Sequence, residues 1–549
     1  MHVQKACRFF GLWFLLCITV IGLLWRLIDL NIFYRSFLLK QSKARTFRVI
    51  KIPVYRGMIT DRLGTPLAIS VPVNSVWVNP RLFQATSSQL SALSYFLHMP
   101  AFLIKTRIQK ELRRQFIYLK RDNSSYISRK IRQLNISGVF VQRENKRYYP
   151  EGEITAHVVG FTNIDDQGQE GLELAYNQWL SGKSGRAEVV KDRLGYIVTE
   201  DCSLMKQPIL GHNLILSLDH RIQYVAYQAL KETVSAYHAK SGSVIVLNVK
   251  NGEILAMVNQ PSYNPNNRPL HYNSHYRNRA VTDMFEPGSV IKAFTVISAL
   301  ENGKYTPNTK IDTNPGWMKI GNYRISDNGS NFGVISLTQL LQYSSNIAAA
   351  KVLLSLKPSN YYSLLRKLGF GQRTSSGFPG ESSGKLISHN VWTPTMVATL
   401  GYGYGMAVTA IQLAQAYAIL GSGGISRPIT FIKIQHTPVI GVRVLSERIA
   451  KAVIEMLKAV IKKGGTGTRA AVHGYCVAGK TGTAYISGLH GYDRQHYIAS
   501  FVGIAPADNP KLVVAVVIRD PKGEHFGGLI AAPLFSKIMS KVLYFFDDY

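Results

Sequence analysis

A run of apolar residues from Phe9 to Trp25 constrains this chain more than any other feature of its sequence. The run is about the minimum length that crosses a bilayer as a helix, and a short polar head, MHVQKACR, precedes it. The residues after it (RLIDLNIFYRS) are bulky and offer no small-x-small cleavage site, which argues against the alternative of a cleaved signal peptide. The sequence therefore predicts a single-pass membrane protein with a cytoplasmic head at 1–8 and a transmembrane anchor at 9–30.

Basic residues are more frequent after the anchor than before it. Lys5 and Arg8 precede the apolar run, whereas the segment that follows carries Arg26, Arg35, Lys40, Lys43, Arg45 and Arg48. Counted alone, this excess would place the large C-terminal part in the cytoplasm. The rule weakens for long translocated domains, so the chemistry of the large domain decides the orientation.

Length and charge narrow the class of protein. At 549 residues the chain exceeds what one hydrophobic core usually serves, which predicts two or more folded domains. The formal net charge of +32 is spread through both halves. It indicates a polyanionic neighbourhood, such as anionic lipid or acidic wall polymer, or a solvated basic surface without a dedicated ligand. No nucleic-acid-binding signature accompanies the charge, so nucleic acid is not expected as a partner.

Cysteine and histidine give little support for a disulfide or a metal site. Two of the four cysteines lie in or beside the anchor, which leaves Cys202 and Cys476 as the one possible pair in the large domain. Their sequence context gives no reason to pair them. His271 and His275 are four residues apart, but their Pro- and Asn-rich surroundings indicate solvated side chains in a loop. We therefore expect no metal site and no cofactor.

Two regions follow the anchor. Residues 31–205 mix short strand-like and helical pieces, with a turn between Asp61 and Gly64, which predicts an α+β structural domain. From 206 to 549 the pattern becomes cleaner. Asp219 can cap an amphipathic helix, and Asn251-Gly252 joins two strands of a hairpin. A second hairpin (497–505 and 512–518), a C-terminal helix from Ala532 and a helix-rich block between the hairpins complete the pattern. The expected fold is α/β and multidomain, ending in an antiparallel sheet covered by helices.

The first of three short motifs, Glu286-Pro-Gly-Ser-Val-Ile-Lys292, combines a serine with a lysine three residues later. Ser289 is predicted to open an apolar helix, which places its Oγ near the positive helix terminus and Lys292 on the same helical face. A serine hydroxyl is a weak nucleophile until a base accepts its proton, and a lysine with a lowered pKa can do so. Alone, the same spacing also fits an ordinary N-cap serine beside a solvated lysine.

The second motif, Ser344-Ser-Asn346, lies between an amphipathic stretch at 337–341 and an Ala-rich helix at 347–354. Ser344 is a candidate proton relay between the lysine and a leaving nitrogen. Asn346 is a candidate hydrogen-bond partner of the lysine and of a substrate amide. Ser and Asn at the start of a helix are also ordinary caps, so the tripeptide carries little weight by itself.

The third motif, Gly479-Lys-Thr-Gly-Thr483, lies on a strand-like run at 476–486. Lys480 and Thr481 are predicted to bind a substrate carboxylate, and Gly482 lets the backbone come close. The backbone N–H of Thr483 joins that of Ser289 in a predicted oxyanion hole.

The residues from Gly474 to Thr481 also satisfy the phosphate-loop pattern G-x-x-x-x-G-K-[ST]. That pattern requires a helix that opens at the Lys-Thr pair. The residues that follow, Gly-Thr-Ala-Tyr-Ile-Ser-Gly, are β-prone and favour a strand. Nucleotide binding is therefore the weaker interpretation.

In this order and at these separations, the three motifs match the serine-lysine set of penicillin-binding proteins and β-lactamases. The whole chain resembles a class B penicillin-binding protein, with an anchor, an R-G-x-I-x-D-R-x-G pedestal motif and a transpeptidase domain in last position. Several phrases resemble the division-specific septal group of Gram-negative bacteria, the penicillin-binding protein 3 group. They are Arg56-Gly-Met-Ile-Thr-Asp-Arg62, Ala156-His-Val-Val-Gly-Phe-Thr-Asn163, Pro261-Ser-Tyr-Asn-Pro-Asn266, Asp283-Met-Phe-Glu-Pro-Gly-Ser289 and the loop Gly403-Tyr-Gly-Met-Ala-Val-Thr409, which borders the cleft in the family.

Two positions depart from the family pattern. Ala410 stands where the family often has proline, and Val290-Ile291 stands where Thr-Val is more usual. Neither falls on a catalytic position, so we expect them to affect only the shape of the cleft and thereby β-lactam affinity.

The resemblance implies a peptidoglycan D,D-transpeptidase. Ser289, activated by Lys292, would attack the penultimate D-alanine of a stem pentapeptide, and the terminal D-alanine would leave with a proton relayed through Ser344. An amine of a second stem peptide would resolve the acyl-enzyme, whereas a β-lactam would stall as an ester. Because the cross-linking substrate is extracytoplasmic, the resemblance implies an inner-membrane protein with its catalytic domain in the periplasm.

The resemblance also implies partners in the division machinery, namely a polytopic glycosyltransferase, reached through the anchor and the pedestal, and small bitopic regulators. Three alternatives stay open. They are an elongation-specific transpeptidase, a membrane-bound β-lactamase or β-lactam sensor, and a non-enzymatic division scaffold. Hydrolysis would need a placed deacylating base, which the sequence does not identify.

Overall fold

The structure is a computed structural model that describes residues 2–190, 203–268, 274–327, 330–435, 439–488 and 491–547. The chain forms two compact units. The first comprises residues 1–55, 72–145 and 182–211, and the second comprises 56–71, 146–181 and 212–549. The second unit thus takes two segments from the region predicted as the 31–205 domain, and the boundary at 205 stays a prediction.

The α-helices, in chain order, are α1 His2–Ile28, α2 Arg35–Thr46, α3 Ser87–Leu97, α4 Ala101–Lys110, α5 Ser125–Gln133, α6 Ala156–Val159, α7 Gly171–Ala175, α8 Asn177–Leu180, α9 His220–Ala236, α10 Arg279–Thr282, α11 Lys292–Glu301, α12 Leu337–Tyr343, α13 Asn346–Leu354, α14 Pro358–Lys367, α15 Pro394–Leu400, α16 Ala410–Gly421, α17 Glu447–Ile461, α18 Gly527–Val542 and α19 Tyr544–Asp547. The strands are β1 Phe47–Ile52, β2 Ile59–Thr60, β3 Pro66–Val78, β4 Ile117–Asn123, β5 Val139–Tyr148, β6 Phe161–Thr162, β7 Gly168–Glu170, β8 Gly185–Val190, β9 Ser203–Lys206, β10 Leu214–Ile215, β11 Ser241–Asn248, β12 Ile254–Gln260, β13 Lys310–Asp312, β14 Trp317–Ile320, β15 Tyr323–Ser326, β16 Val334–Ser336, β17 Ile425–Ser426, β18 Val442–Arg443, β19 Ala478–Gly488, β20 Gly491–Ala505 and β21 Leu512–Arg519.

The N-terminal helix has the length and composition of a membrane anchor. α1 continues into a short π-helical turn, Asp29–Phe33. The segment Phe9–Phe33 is long and apolar enough to cross a bilayer, and it is not buried against the rest of the protein. A second segment, Gly527–Phe546, passes the same test but is half buried. It belongs to the core of the second unit, where Phe535 and Ile538 are fully buried.

In the first unit, short helices pack on an antiparallel sheet. The C-terminal end of β3 pairs with β4, and β1, β8 and β9 form a separate three-stranded sheet. Val76 of β3 is fully buried in one core with Leu93 of α3 and Ile104 of α4. This arrangement is the predicted α+β structure.

The second unit is built on a five-stranded antiparallel sheet in the order β12-β11-β21-β20-β19. Because successive side chains of a strand point to opposite faces, β11 supplies Ile245 and Leu247 to one core and Val244 and Val246 to the other. α16 packs on the first face, and α9 and α18 pack on the second. Burial of both faces explains why these strands read as continuous apolar runs.

The predicted hairpins of this sheet are confirmed. β11 pairs with β12 across the Asn251-Gly252 turn, and β20 pairs with β21. The Asp219 carboxylate accepts a bond from Arg221 N at 3.0 Å at the start of α9. α18 begins at Gly527 rather than at Ala532, because its first turn is fixed by a tertiary bond from Gly527 N to Thr483 Oγ1 at 3.1 Å.

A buried ion cluster joins two segments of the second unit. The Glu173 carboxylate accepts bonds from Arg56 Nε and from Arg147 Nε, both at 2.6 Å. All three side chains are at most 1% exposed. The two arginines lie in the segments around residues 56–64 and 147–152.

The cysteines and histidines singled out from the sequence fall partly outside the described residues. The thiols of Cys17 and Cys476 are free and exposed. Cys202 and His271 lie outside the described residues, so the Cys202–Cys476 pairing and the His271–His275 pair have no structural description here.

Candidate active site

The predicted nucleophile lies in a tight turn before α11. Residues Gly288–Ile291 form a 3-10 turn, and the α-helix itself begins at Lys292. The prediction that Ser289 opens the α-helix is therefore wrong by one turn. Gly288 has a φ of 56° and its N–H donates to Gly403 O at 3.1 Å, so this turn is anchored to a neighbouring loop before the helix starts. Ser289 is half-buried, whereas Lys292 is fully buried.

The Lys292 ammonium is held by the second motif. Its Nζ donates to Ser344 O at 2.5 Å, to Ser344 Oγ at 3.2 Å and to Asn346 Oδ1 at 2.7 Å. Within the described part of the chain, none of its hydrogen bonds goes to the Ser289 hydroxyl.

Ser344 lies between two helices, and its backbone is in the left-handed region of φ and ψ. α12 ends at Tyr343, Ser344 has a φ of 61°, and α13 begins at Asn346. This sharp turn directs both the carbonyl and the hydroxyl of Ser344 toward Lys292. The capping role suggested for the motif belongs to its middle residue, because Ser345 Oγ accepts a bond from Ala348 N at 3.0 Å.

A buried carboxylate that the sequence analysis missed supports this turn. Asp327 Oδ2 accepts a bond from Ser345 Oγ at 2.6 Å, and its Oδ1 accepts from Asn346 N at 2.5 Å and Ile347 N at 3.1 Å. The side chain therefore fixes the N-terminus of α13 with a favourable charge. Asp327 lies about 20 residues before the motif, and no local pattern links the two.

The third motif brings a second lysine to the same hydroxyl. Lys480 is fully buried on β19, and its Nζ donates to Ser344 Oγ at 2.9 Å. Thr481 Oγ1 hydrogen-bonds Thr466 Oγ1 at 2.9 Å, and Thr483 Oγ1 accepts from Gly527 N. The structure thus brings the side chains of all three predicted motifs to one cluster.

Gly482 is required by close packing. A Cβ at this position would lie 2.3 Å from Ser500 Oγ and 3.1 Å from Pro287 O, in the loop before the nucleophile. A Cβ on Gly288 would lie 3.0 Å from Thr483 O. The strand of the third motif and the nucleophile turn therefore touch at these two glycines.

The phosphate-loop interpretation is wrong. Lys480 and Thr481 lie inside β19, where they pair with Val502 and Phe501 of β20. A phosphate loop needs a helix N-terminus at this point, because helical N–H groups bind the phosphates. The described chain has a strand there, so the anion-binding geometry is missing.

Burial perturbs both lysines. Desolvation lowers the pKa of Lys292 to about 7, although the Asp327 carboxylate acts in the opposite direction. Desolvation, together with the charge of Lys292, lowers the pKa of Lys480 well below its ordinary value. Two ammonium groups that share one acceptor oppose each other's protonation, so the pair titrates as a unit. A neutral amine is therefore available at neutral pH.

The sequence analysis also missed one wall of the site, which is formed by Glu286, Tyr404 and Tyr492. Glu286 Oε1 accepts bonds from Gly405 N at 2.8 Å and from Tyr492 OH at 3.1 Å. Tyr404 packs edge-on against Tyr492, and its hydroxyl accepts a bond from Tyr485 N at 3.3 Å. The loop Gly403–Thr409, identified by resemblance, does contact the nucleophile turn. The sequence carries no local signal for the carboxylate.

The departure at Ala410 is structurally neutral. Thr409 caps α16 in a capping box with Gln412, and Ala410 is the first helical residue. Proline is favoured at that position because its missing N–H has no helical partner there. Ala410 therefore keeps the geometry that a proline would give.

Three side chains in the second unit lie close enough to be considered as a metal site: Asp61, Asp219 and His220. The Asp61 carboxylate already accepts bonds from Leu63 N, Thr65 N and His220 Nδ1. Arg221 pairs with Asp219 at 2.7 Å. The atoms that would bind a metal are therefore already engaged in hydrogen bonds within the protein. The cluster stabilises the turn between β2 and β3.

Comparison with known proteins agrees with this geometry. The family profile described as "Penicillin binding protein transpeptidase domain" matches residues 242–540, and "Penicillin-binding Protein dimerisation domain" matches residues 51–216. The chain is 42% identical over 517 residues to the probable peptidoglycan D,D-transpeptidase PbpC of Pseudomonas aeruginosa, covering 94% of this chain and 91% of that protein. It is 39% identical to the peptidoglycan D,D-transpeptidase FtsI of Escherichia coli K12, covering 95% and 89%.

Among solved structures, the transpeptidase domain of Burkholderia pseudomallei penicillin-binding protein 3 is 41% identical, with a TM-score of 0.56. It covers 60% of this chain and 96% of that one. These matches confirm the resemblance and the fold class inferred from the sequence. The chain belongs to the penicillin-binding peptidoglycan transpeptidases, with a dimerisation domain followed by a transpeptidase domain.

Proposed function

We propose that this chain is a septal peptidoglycan D,D-transpeptidase in which Ser289 is the nucleophile. The observation that carries the proposal is the convergence of Lys292 and Lys480 on Ser344 Oγ next to the Ser289 turn. The relatives in P. aeruginosa and E. coli carry the name of this activity, and the second of them has the division-related name FtsI.

In acylation, Ser289 Oγ attacks the carbonyl of the penultimate D-alanine while neutral Lys292 accepts its proton. A base is most effective when its pKa lies near the working pH, and burial brings Lys292 to about 7. The backbone N–H groups of Ser289 and Thr483 donate to the oxyanion that forms. These two groups belong to the segments that touch at Gly288 and Gly482.

In the second half of acylation, the bond from carbonyl carbon to nitrogen breaks and the terminal D-alanine takes a proton. Ser344 Oγ relays this proton, since it lies within hydrogen-bond distance of both lysines. Asn346 orients Lys292 and a substrate amide. Lys480, Thr481 and Thr483 orient the substrate carboxylate, and Gly482 keeps the backbone close to it. The same residues bind β-lactams, which acylate Ser289 and stall.

We assign the catalytic domain to the periplasm and the first helix to the inner membrane as a single-pass anchor. The substrates, stem peptides on nascent or lipid-linked glycan, are extracytoplasmic, and α1 offers an exposed apolar span. We also expect divisome partners, including a polytopic glycosyltransferase, at the anchor and the pedestal. No cofactor is needed for this chemistry.

Intact-protein mass spectrometry tests the nucleophile. The full-length chain in detergent is incubated with benzylpenicillin beside a Ser289→Ala variant, and the adduct is then mapped on peptides. A lasting single adduct on Ser289 supports the transpeptidase. Rapid turnover of the antibiotic without an adduct would favour a β-lactamase, and no reaction at all would favour a scaffold.

Depletion of the protein in cells separates the septal from the elongation role. We expect undivided filaments, whereas round cells would assign the protein to elongation. Complementation with Ser289→Ala should fail, because the septal role requires the acyl-enzyme.

A further inference from the structure

We propose that Glu286, together with the rings of Tyr404 and Tyr492, binds the ammonium group of the second stem peptide, the amine acceptor of the cross-linking reaction. The proposal deepens the function above and rests on it. It assigns a role to a carboxylate that neither the three motifs nor the family comparison explains.

The first argument is the incomplete bonding of the carboxylate. Both hydrogen bonds of Glu286, from Gly405 N and from Tyr492 OH, go to Oε1. Oε2 is buried and has no hydrogen-bond partner among the described residues. Leaving a buried carboxylate oxygen without a donor is unfavourable, so Oε2 is suited to accept a hydrogen bond from a ligand.

The second argument is charge. The chain carries a formal net charge of +32, yet none of the described ion pairs involves Glu286. By contrast, the buried Asp327 carboxylate beside the second motif accepts three protein hydrogen bonds. Glu286 is thus an available anionic partner for a cation from outside the chain.

The third argument is the aromatic surrounding. The rings of Tyr404 and Tyr492 meet edge-to-face with centroids 5.3 Å apart, and the Tyr492 hydroxyl bonds the carboxylate directly. Tyr492 is 46% exposed, so a ligand can reach its ring from solvent. Aromatic faces beside a carboxylate are the setting that recognises an ammonium group, through cation–π attraction added to the ion pair.

The fourth argument is position. Glu286 precedes Ser289 by three residues, and the Tyr404 loop is bonded to the nucleophile turn through Gly288 N and Gly403 O. The Tyr404 hydroxyl accepts from Tyr485 N, two residues beyond Thr483 on β19. The carboxylate therefore lies beside the reacting centre. The cleft thus has Lys480, Thr481 and Thr483 for the donor's carboxylate and Glu286 for the acceptor's amine.

The same carboxylate can take the proton that the acceptor must lose. Burial raises the pKa of Glu286 above its ordinary value, which makes it a better proton acceptor. One ammonium proton moves to Oε2, and the free amine nitrogen attacks the ester carbonyl. The C–N bond forms, the bond to Ser289 Oγ breaks, and a second amine proton returns to Oγ through Lys292. Glu286 then releases its proton to solvent.

The test measures how the acyl-enzyme partitions between water and an added amine. The full-length chain in detergent is acylated with a thioester that ends in D-alanine, and Nα-acetyl-lysine serves as the cationic acceptor. Glu286→Gln keeps an acceptor oxygen for Gly405 N and Tyr492 OH but loses the charge. We expect the amine concentration for half-maximal aminolysis to rise about tenfold, which corresponds to one lost ion pair of about 1.4 kcal/mol.

Two controls separate a binding role from a structural one. Hydroxylamine, a nucleophile that is largely neutral at neutral pH, should be affected far less than the lysine derivative, because it carries no charge for Glu286 to bind. Glu286→Asp should recover part of the lost affinity for the lysine derivative. Equal loss with both nucleophiles, or no change with the lysine derivative, would overturn the proposal. A failure of Ser289 itself would appear differently, as the absence of any acyl-enzyme.

Discussion

Lys292 and Lys480 donate hydrogen bonds to the same atom, Ser344 Oγ, at 3.2 Å and 2.9 Å. The two lysines are 188 positions apart in the chain (480 − 292) and are both fully buried. Two buried ammonium groups around one hydroxyl are unfavourable, so the arrangement keeps at least one amine neutral.

Acylation should accelerate as the pH rises through about 7, where Lys292 loses its proton and becomes a base. The sign follows from the mechanism, because the protonated lysine cannot accept the Ser289 proton. The measurement is the second-order rate constant of benzylpenicillin acylation across the neutral range. Lys292→Arg, which stays protonated, should show almost no acylation at any pH tested. A flat profile in the parent protein would contradict the assignment.

Asp327→Asn should move the acid limb of that profile to lower pH. Asp327 raises the pKa of Lys292 against the effect of burial, so removing its charge lowers that pKa further. Ser345→Ala is the matched control, since it breaks a bond to Asp327 but leaves the charge. The control should destabilise the protein by about 1 kcal/mol through its lost helix cap, without shifting the limb. A purely structural role of Asp327 would change the rate and leave the limb in place.

Gly482→Ala should slow acylation by about 100-fold, because the added methyl group clashes with Ser500 on β20 and crowds Pro287 O beside the nucleophile, which displaces the strand of the third motif. The clash is with Ser500 Oγ at 2.3 Å. Ser500→Gly in the same chain removes that atom, and part of the rate should return. Circular dichroism should show that each variant is folded. A double variant no faster than the single one would mean that Ser500 is not the obstacle.

Glu173→Gln should destabilise the protein by about 3–5 kcal/mol, because it leaves the Arg56 and Arg147 charges buried without a counter-ion. The measurement is the unfolding midpoint in urea. Glu447→Gln is the control, since its pair with Lys451 is solvent-exposed and its loss should leave the midpoint unchanged. Equal midpoints for the two variants would contradict the prediction that the buried Glu173 cluster stabilises the protein.

Much of this structure could be predicted because its signals are local. The apolar run of α1, the Asn251-Gly252 turn and the Asp219 cap each lie within a few neighbouring residues. The motif residues could be found for the same reason. The roles of Asp327 and Glu286 could not be predicted. They depend on partners such as Ser345 and Tyr492, which only the fold brings close to them.

The start of α11 illustrates a different limit. Periodicity shows that an apolar helix follows Ser289, but not where the first α-helical turn begins. The start of the helix depends on the hydrogen bond from Gly288 N to Gly403 O. This bond joins residues that are far apart in the chain, so local sequence rules do not predict it. Element types are therefore more predictable than their ends.

The order of the large sheet, β12-β11-β21-β20-β19, leaves β19 at its edge. One side of the backbone of Lys480–Thr483 pairs with β20, and no strand of the described chain pairs with the other side. An extended peptide can add to such an edge as a sixth strand, so that its main chain supplies the affinity and its side chains point alternately away from and toward the protein. A free edge of this kind usually promotes aggregation, but beside the nucleophile it can bind a ligand through main-chain hydrogen bonds, whatever side chains the ligand carries.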